Sequence, residues 1–225
     1  APPPAPTDAA LSLASLGVAT APVLVAASTH ADEETAVLDA FARIRTVEPR
    51  ARLVLAPRRP DRCDEVAALV AARDLGLARR STLGSDGAPR WPEHVPVLLL
   101  DTLGELAGLY GGARLAFVGG TIVPVGGHNV LEPAACGTPV AVGPHVANVA
   151  ADVARLRASG GAVQADDARS LAVRMADLFL DPAAAAAAGR AAAATVADLQ
   201  GPLAVTLAIV RGTLAATAPR VEPRA

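Results

Sequence analysis

The residues with the clearest chemical potential lie in one segment, residues 119–133, which reads GGTIVPVGGHNVLEP. Its two glycine pairs would allow a ligand close approach to main-chain N–H groups. His128 and Asn129 add polar side chains, and Glu132 lies about one helical turn beyond Asn129. A helix that begins near Asn129 would point its positive end at an anion, and Glu132 could accept hydrogen bonds from two sugar hydroxyls. The segment therefore predicts a site for the phosphate and ribose of a nucleotide sugar.

A second polar group, Ser28, Thr29 and His30, follows the apolar run 23–27. These residues could simply cap the next helix, because Ser and Thr side chains satisfy unpaired N–H groups and acidic residues favour a first turn. Alternatively, the hydroxyl and imidazole groups would bind an anion over the same helix end. The acidic residues 32–34 would oppose that anion unless they point away. The sequence leaves both interpretations open.

Arg58 is the residue that we select as a charged ligand contact. It stands in the sequence Pro57-Arg58-Arg59-Pro60, directly after the apolar run 52–56. An arginine pair at the end of a strand is often only solvated, but the two prolines stiffen the loop and aim the guanidinium groups. We expect Arg58, with Pro57 beside it, to contact a carboxylate or a phosphate, and Arg59 to be peripheral.

Thr102, Gly104 and Glu105 follow a further apolar run. The spacing of Thr102 and Glu105 is typical of a capping box at the start of a helix. Gly104 would weaken the first turn of that helix. Its lack of a side chain would also let a nucleobase lie against bare backbone, so a structural and a ligand-binding interpretation both stand.

The composition excludes several classes of function. The formal net charge is −2 and aromatic residues make up 2% of the chain, which argues against a nucleic-acid surface. Cys63 and Cys136 have no metal-ligand spacing, and the sequence contains no HExxH pattern. We therefore expect no metal and a reduced, cytoplasmic setting. No apolar run reaches the roughly 18 residues that a membrane span needs.

The elements that position these groups alternate between strands and helices. Strands are predicted at 23–27, 52–56, 97–100, 115–118, 140–142 and 162–164, and helices at 32–47, 62–74, 102–110, 147–159, 168–180, 182–197 and 203–216. Nearly continuous apolar strands separated by helices predict a doubly wound α/β fold, a Rossmann-like parallel sheet covered on both faces. Ligands of such sheets bind outside the carboxyl ends of the strands, where all four polar groups fall.

The domain organisation follows from length and composition. A chain of 225 residues is long enough for one α/β domain and too short for two. We assign residues 1–20, which begin with a proline-rich stretch, to the remnant of an interdomain linker. Residues 21–201 would form the nucleotide-sugar domain. Residues 202–225 would form a final helix and tail that pack toward an absent amino-terminal domain.

The motifs together resemble the carboxy-terminal half of bacterial 3-deoxy-D-manno-octulosonic acid (Kdo) transferases. The resemblance covers about residues 17–211 in the family's order. The matching residues are Ser28-Thr29-His30, Pro57-Arg58 with Pro60, Asp101-Thr102 with Gly104-Glu105-Leu106, Phe117 to Gly120, Val123 to Asn129, Leu131 to Ala134, and Gly143-Pro144-His145 with Asn148. Departures are Arg59 in place of a usual histidine, Asp32 in place of a usual glycine, and Ala147 and Val149 in place of aromatic residues.

The resemblance implies the carboxy-terminal domain of a GT-B glycosyltransferase whose donor substrate is CMP-Kdo, with no cofactor. It implies that the substrate-binding residues are Ser28, Thr29, His30, Pro57, Arg58, Thr102, Gly104, Glu105, Gly126, Gly127, His128, Asn129 and Glu132. Glu132 would hold the ribose. Arg58 and the second glycine pair would hold the acid groups, and the 102–105 turn would border the cytosine.

The resemblance also implies what this chain lacks. The general base, a glutamate, and the surfaces for the lipid A precursor and the membrane would belong to the amino-terminal half, so no catalytic residue is expected here. The complete enzyme would be inverting, metal-independent and peripheral on the inner membrane of a Gram-negative bacterium, and this chain alone would be inactive. Two alternatives remain open: a non-catalytic nucleotide-binding module, and a domain of a nucleotide-sugar epimerase.

Overall fold

The computed structural model describes residues 11–84 and 90–217, with side chains up to residue 199. Within this part of the chain the strands are β1 (Val23–Thr29), β2 (Arg52–Pro57), β3 (Leu77–Arg79), β4 (Val97–Leu99), β5 (Leu115–Val118), β6 (Val140–Val142) and β7 (Ala162–Gln164). The helices are α1 (Glu33–Val47), α2 (Cys63–Ala71), α3 (Leu106–Tyr110), α4 (Leu131–Ala135), α5 (Ala150–Ala158), α6 (Ala168–Leu180) and α7 (Pro182–Thr217). Short 3-10 turns precede α2 and α5.

The strands form one parallel sheet in the order β3-β4-β2-β1-β5-β6-β7. The chain first builds the sheet outward from β1 through β2, and then returns to place β5 on the other side of β1. The strand order therefore reverses between β1 and β5. A crevice at the carboxyl ends of two such strands is the usual ligand site of an open α/β sheet. The predicted doubly wound parallel sheet is confirmed.

The core lies on both faces of the sheet. All residues of β1 from Val23 to Ala27 are at most 1% exposed, which explains their continuous apolar sequence. Helix α1 packs on one face through Val37, Phe41 and Ile44, which recur at the spacing of one helical stripe. Burial of a side chain such as that of Phe41 stabilises the fold by roughly 2 kcal/mol. The helices hold the strand ends, and with them the polar residues, in place.

The predicted helix at 102–110 is wrong in its first turn. Gly104 has a φ of +83°, a left-handed conformation that a right-handed helix cannot contain. Helix α3 therefore begins only at Leu106. The Thr102 hydroxyl donates to the Glu105 carboxylate and not to the backbone, so the predicted capping box does not form.

Three other elements differ from the prediction. The helix expected near Asn129 begins at Leu131 and has 5 residues, so its dipole is that of little more than one turn. The short strand β3 was not predicted. The two helices predicted at 182–197 and 203–216 form the single helix α7, in keeping with the high helix propensity of their alanine-rich sequence.

The first described residues belong to the core, although their composition placed them in a linker. Leu13 and Leu16 are 3% and 0% exposed and pack with Trp91 on one face of the sheet. Apolar burial outweighs the linker-like composition here. The division at residues 201 and 202 stays a prediction, because the side chains beyond residue 199 lie outside the described residues. Among the described residues, no helix is both long and apolar enough to cross a membrane.

Candidate functional site

His30 is placed by an irregularity at the carboxyl end of β1. The pairing of β1 with β2 shifts register between Ala27 and Thr29, and Ser28 between them has a φ of +54°. This left-handed residue turns the chain out of the sheet, so that His30 lies half-buried at its edge. A non-glycine residue in this region is uncommon, and strained residues of this kind are enriched at functional sites.

The first contact at this edge joins the ends of β1 and β5. The Nε2 atoms of His30 and His128 lie 2.7 Å apart. The two rings are nearly parallel, with centroids 5.1 Å apart and planes 5° from parallel. One ring nitrogen must donate and the other accept, so at least one imidazole is neutral in this arrangement. The structure thus brings together two histidines that are 98 positions apart in the sequence.

Glu33 holds the loop that carries His128. Its side chain is fully buried, and its carboxylate accepts the N–H groups of Gly120 (2.8 Å), Thr121 (2.9 Å) and Ile122 (2.8 Å). It also accepts the N–H group of His30 (3.0 Å). One buried carboxylate therefore ties the end of β1 to the loop after β5. The sequence analysis missed this role and treated the acids after His30 only as helix-end charges that would oppose a ligand.

The backbone N–H groups of both glycine pairs are therefore already used within the protein and are closed to a ligand. Gly119 donates to Ala27, and the N–H groups of Gly126 and Gly127 both donate to the Gly120 carbonyl at 3.0 and 2.7 Å. The prediction that the glycines offer N–H groups to a phosphate is wrong for these positions. Among the described residues, the N–H groups of Val123, Asn129 and Val130 form no hydrogen bond, so these three groups are the backbone donors that remain in this loop.

The second glycine pair is required for packing. Gly126 and Gly127 have φ angles of +101° and +88°, which L-residues rarely adopt. A Cβ atom at Gly126 would lie 2.7 Å from the Asn148 amide nitrogen, and one at Gly127 would lie 2.8 Å from Val149. Both glycines are buried. They shape the loop and set the position of His128.

Thr29 and Glu34 form a second buried support. The Thr29 hydroxyl donates to the Glu34 carboxylate over 2.9 Å, and Thr29 is only 1% exposed. Arg62 completes the group with a 2.7 Å ion pair to Glu34, and this contact with a second one to Glu65 raises the pKa of Arg62. The predicted ligand role of Thr29 is not supported by this geometry, because its hydroxyl points into the core.

Arg58 lies beside the histidine pair. Its N–H group donates to the Thr29 carbonyl over 2.9 Å, which fixes the loop after β2 against the end of β1. The residue is exposed, and its charge is one of those that act on His128. Arg59 points elsewhere and pairs with Asp61 over 2.7 Å at the surface. The two arginines thus have different surroundings, and the ligand contact of Arg58 stays a prediction.

Glu132 forms a neighbouring group with Asn129. The Asn129 amide nitrogen donates to the Glu132 carboxylate over 3.0 Å, and its oxygen accepts the N–H group of Leu131 over the same distance. Glu132 is half-buried, and its charge helps to raise the pKa values of Tyr110 and Cys136, for which burial is the larger cause. Its carboxylate oxygens can accept hydrogen bonds from a pair of vicinal hydroxyls.

The 102–105 turn borders a separate hollow at the ends of β3 and β4. This hollow has a volume of about 660 Å³. Arg80 donates to Glu105 over 2.7 Å, and Glu105 also accepts the hydroxyl of Thr102. Gly104 is exposed, and a Cβ added at this position would have no atom within 4 Å. Since α3 contacts α4, this turn and Glu132 belong to the same edge of the sheet.

The electrostatics of the edge favour an anion. Burial, the neighbouring His30 and the Arg58 charge lower the pKa of His128, while Glu33 partly opposes them. In the free protein these effects favour the neutral form of His128. An anion placed between Arg58 and the histidine pair would interact favourably with the Arg58 charge and would favour protonation of His128.

The backbone conformation at Asp32 accounts for one departure from the family pattern, in which this position is usually glycine. Its φ of +72° lies in the left-handed region, where glycine has no steric penalty. A glycine at this position would be the simplest solution, and Asp is among the few other residues that tolerate it. The residue is exposed, so its carboxylate lies in solvent at the start of α1.

The sequence and the fold both have relatives among characterised proteins. The 3-deoxy-D-manno-octulosonic acid transferase of Bordetella pertussis is 39% identical over 183 residues, which cover 80% of this chain and 42% of the relative. The crystal structure of the carboxy-terminal CMP-Kdo binding domain of WaaA from Acinetobacter baumannii is 29% identical, with a TM-score of 0.71 over 82% of this chain and 93% of that domain. The chain is thus similar in sequence and in fold to the carboxy-terminal part of Kdo transferases.

The matched residues of this chain span less than half the length of the Bordetella relative. Its fold is that of the carboxy-terminal domain of a GT-B glycosyltransferase, as predicted. WaaG, a glycosyltransferase involved in lipopolysaccharide biosynthesis, shares this fold with a TM-score of 0.51, 12% identity and coverage of 81% of this chain and 46% of WaaG. No protein-family model matches the chain. Within the described residues, no group of three His, Cys, Asp or Glu side chains could hold a metal ion.

Proposed function

We propose that this chain is the CMP-Kdo binding domain of a Kdo transferase and that the donor binds at the carboxyl ends of β1 and β5. The observation that carries this proposal is the His30–His128 pair beside Arg58 at the reversal of strand order. CMP-Kdo bears a phosphate and a carboxylate close together. Two imidazoles and a guanidinium are suited to both groups.

The remaining site residues fit the other parts of the donor. Glu132, half-buried beside Asn129, would accept hydrogen bonds from the ribose hydroxyls. The N–H groups of Asn129 and Val130 would face the phosphate. The hollow beside Gly104 and Arg80 would take the cytosine. Ser28 is half-buried at the same edge and would border the acid groups of the donor.

The complete enzyme would transfer Kdo to the lipid A precursor with inversion. The base in the amino-terminal half would remove the proton of the acceptor hydroxyl, and the oxygen would form a bond to the anomeric carbon. The bond from that carbon to the phosphate oxygen would break with its electron pair, leaving CMP. Arg58 and His128 would stabilise the charge on that phosphate. Membrane contact at the inner membrane would come from the absent half, and this chain alone would bind without turnover.

A calorimetric titration of the chain with CMP, UMP and UDP-GlcNAc tests the donor. We expect CMP to bind most tightly. Arg58→Ala should weaken CMP binding at least about tenfold, because it removes a charge-assisted contact of about 1.5–3 kcal/mol. Arg59→Ala is the matched control, because that side chain is paired with Asp61 at the surface, and it should bind CMP like the unaltered chain. A preference for UDP-GlcNAc would favour the epimerase alternative and contradict the proposal.

Binding of CMP should become tighter as the pH falls from about 8 to about 6. In the free protein the lowered pKa of His128 favours the neutral ring, so the fold loses stability as the pH falls through that pKa. A bound phosphate favours the charged ring and raises the pKa, so binding takes up a proton. Each unit of this shift corresponds to about a tenfold change in affinity.

The variant His128→Asn separates this effect from the titration of the nucleotide phosphate itself. It retains a polar side chain of similar width and cannot take up a proton. Calorimetry across this pH range should show a smaller pH dependence for the variant than for the unaltered chain. The same pH dependence in both proteins would show that His128 does not titrate with the ligand.

A further inference from the structure

A second cavity lies at the opposite edge of the sheet. It has a volume of about 600 Å³, within the usual range for small-molecule sites. Its walls come from the amino-terminal ends of β2 and β4, the end of α1, and two loops. Because the candidate donor site lies at the carboxyl ends of the strands, the two sites are separated by the length of the sheet.

Positive charge dominates the walls of this cavity. The four arginines among the lining residues are Arg45, Arg50, Arg52 and Arg90, whereas Glu93 is the acidic residue among them. Among the described residues, these arginines form no ion pair. By contrast, Arg59, Arg62, Arg79 and Arg80 each pair with a carboxylate. Like charges gathered around a concave surface attract a counter-ion strongly.

Arg52 is built into the wall. It is 5% exposed, and its guanidinium lies 5.0 Å from the centre of the Trp91 ring. Its Nη1 atom donates to the Pro92 carbonyl over 3.1 Å, and its Nη2 atom donates to the Glu93 carbonyl. These acceptors are neutral, so they orient the group without cancelling its charge. Burial is the main cause that lowers the pKa of Arg52, with Glu93 opposing and Arg45 adding to the effect.

The two exposed arginines, Arg50 and Arg90, are free to turn toward a ligand, whereas the half-buried Arg45 is held by its neighbours. Arg50 reaches the Thr20 carbonyl only over 3.4 Å, and Arg45 donates one N–H group to the Ala51 carbonyl over 2.9 Å. Arg90 is exposed, with its Nη1 atom close to Gly17. The cavity therefore combines several guanidinium donors that form no ion pair with a carboxylate among the described residues.

We propose that this cavity binds the phosphate group of a small phosphorylated ligand. A phosphate carries nearly two negative charges and several acceptor oxygens, which match a set of convergent guanidinium groups. The phosphate could belong to a soluble phosphate ester or to the head group of a phospholipid. The site is independent of the proposed donor site, so either proposal can fail without the other.

Trp91 provides a direct probe, because it is the only tryptophan of the chain. The fluorescence of the unaltered chain is followed during titrations with inorganic phosphate and with glycerol 3-phosphate, and chloride keeps the ionic strength constant. We expect a saturable change with a dissociation constant near or below ~1 mM. A signal that does not saturate below about 50 mM, far above that value, overturns the proposal.

The variants Arg50→Ala and Arg90→Ala place the binding at this cavity. Both side chains are exposed, so their loss should leave the fold intact, as circular dichroism would verify. Each variant should raise the dissociation constant for glycerol 3-phosphate about tenfold, because a charge-assisted contact is lost. Arg43→Ala is the matched control, since Arg43 is an exposed arginine of α1 outside the lining of this cavity. A response that is unchanged in both cavity variants also overturns the proposal.

Co-sedimentation with vesicles identifies the source of the phosphate. Vesicles of phosphatidylglycerol are compared with vesicles of phosphatidylcholine. Binding to the first that competes with glycerol 3-phosphate and is lost in Arg50→Ala assigns the cavity to a lipid head group. Saturable binding of glycerol 3-phosphate without any binding to vesicles assigns it to a soluble ester. The variants Arg43→Ala, Arg50→Ala and Arg90→Ala should all bind CMP with the affinity of the unaltered chain.

Discussion

Replacing Glu33 by glutamine should lower the free energy of unfolding by about 2–4 kcal/mol. The buried carboxylate accepts four N–H groups, from His30, Gly120, Thr121 and Ile122. In the variant Glu33→Gln, the side-chain amide would place its own N–H groups against these donors. At least one buried donor would lose its partner. Urea denaturation measures the change in stability.

The same substitution should also weaken CMP binding, because the loop held by Glu33 carries His128. Calorimetry on the folded variant measures this second effect. The control is Glu65→Gln, which removes the charge of a glutamate with a 59% exposed side chain, paired with Arg62. A surface pair of this kind contributes less than about 1 kcal/mol. If Glu33→Gln and Glu65→Gln were equally stable, the role assigned to the Glu33 carboxylate would be wrong.

Gly119→Ala should be at least as damaging, with a loss of about 3 kcal/mol or more. A Cβ atom at this position would lie 2.3 Å from the Ser28 carbonyl oxygen and 2.7 Å from a carboxylate oxygen of Glu33. The first neighbour is backbone and cannot turn away. Relief would require the end of β1 to move away from β5, and this would separate His30 from His128. Thermal denaturation and CMP titration measure the two consequences.

Gly111→Ala provides the comparison for Gly119→Ala. Gly111 has a φ of −60°, which alanine adopts without strain, and no atom lies within 4 Å of an added Cβ. This variant should match the unaltered chain or exceed its stability by up to about 1 kcal/mol, because alanine restricts the unfolded chain. A Gly119→Ala variant that is as stable as Gly111→Ala would contradict the tight contact between the two strand ends.

The sequence predicted the main strands because each is a short apolar run bounded by turn residues. Strand β3 was missed for a physical reason: its three residues, Leu77–Arg79, are all partly exposed at the sheet edge. Such a strand has neither a continuous apolar run nor an alternating pattern. Gly104 was misplaced in a helix because the capping-box spacing of Thr102 and Glu105 was given more weight than the readiness of glycine to adopt a left-handed conformation.

The structure brings the predicted residues His30, Arg58 and His128 to one edge of the sheet, but the buried residues that support them were not predicted. His30, Arg58 and His128 were selected because each follows a strand, and parallel strands end at one edge. Their contact depends on β1 lying beside β5, and this adjacency is a long-range property that local patterns do not specify. Glu33 was treated as a helix-end acid, since burial of a carboxylate is exceptional and has no local signature. The glycines were assigned to a ligand although their N–H groups serve the loop itself.

The most direct test of the donor site is a map of backbone amide shifts in the NMR spectrum of the chain during titration with CMP. We expect the largest shifts at His30, Arg58, Asn129 and Val130, around the paired ends of β1 and β5. The amides of Gly120, Thr121 and Ile122 should stay protected from hydrogen exchange throughout, because Glu33 holds them in the free and bound states alike. Shifts confined to the opposite edge of the sheet, around Arg52 and Trp91, would contradict the proposed donor site.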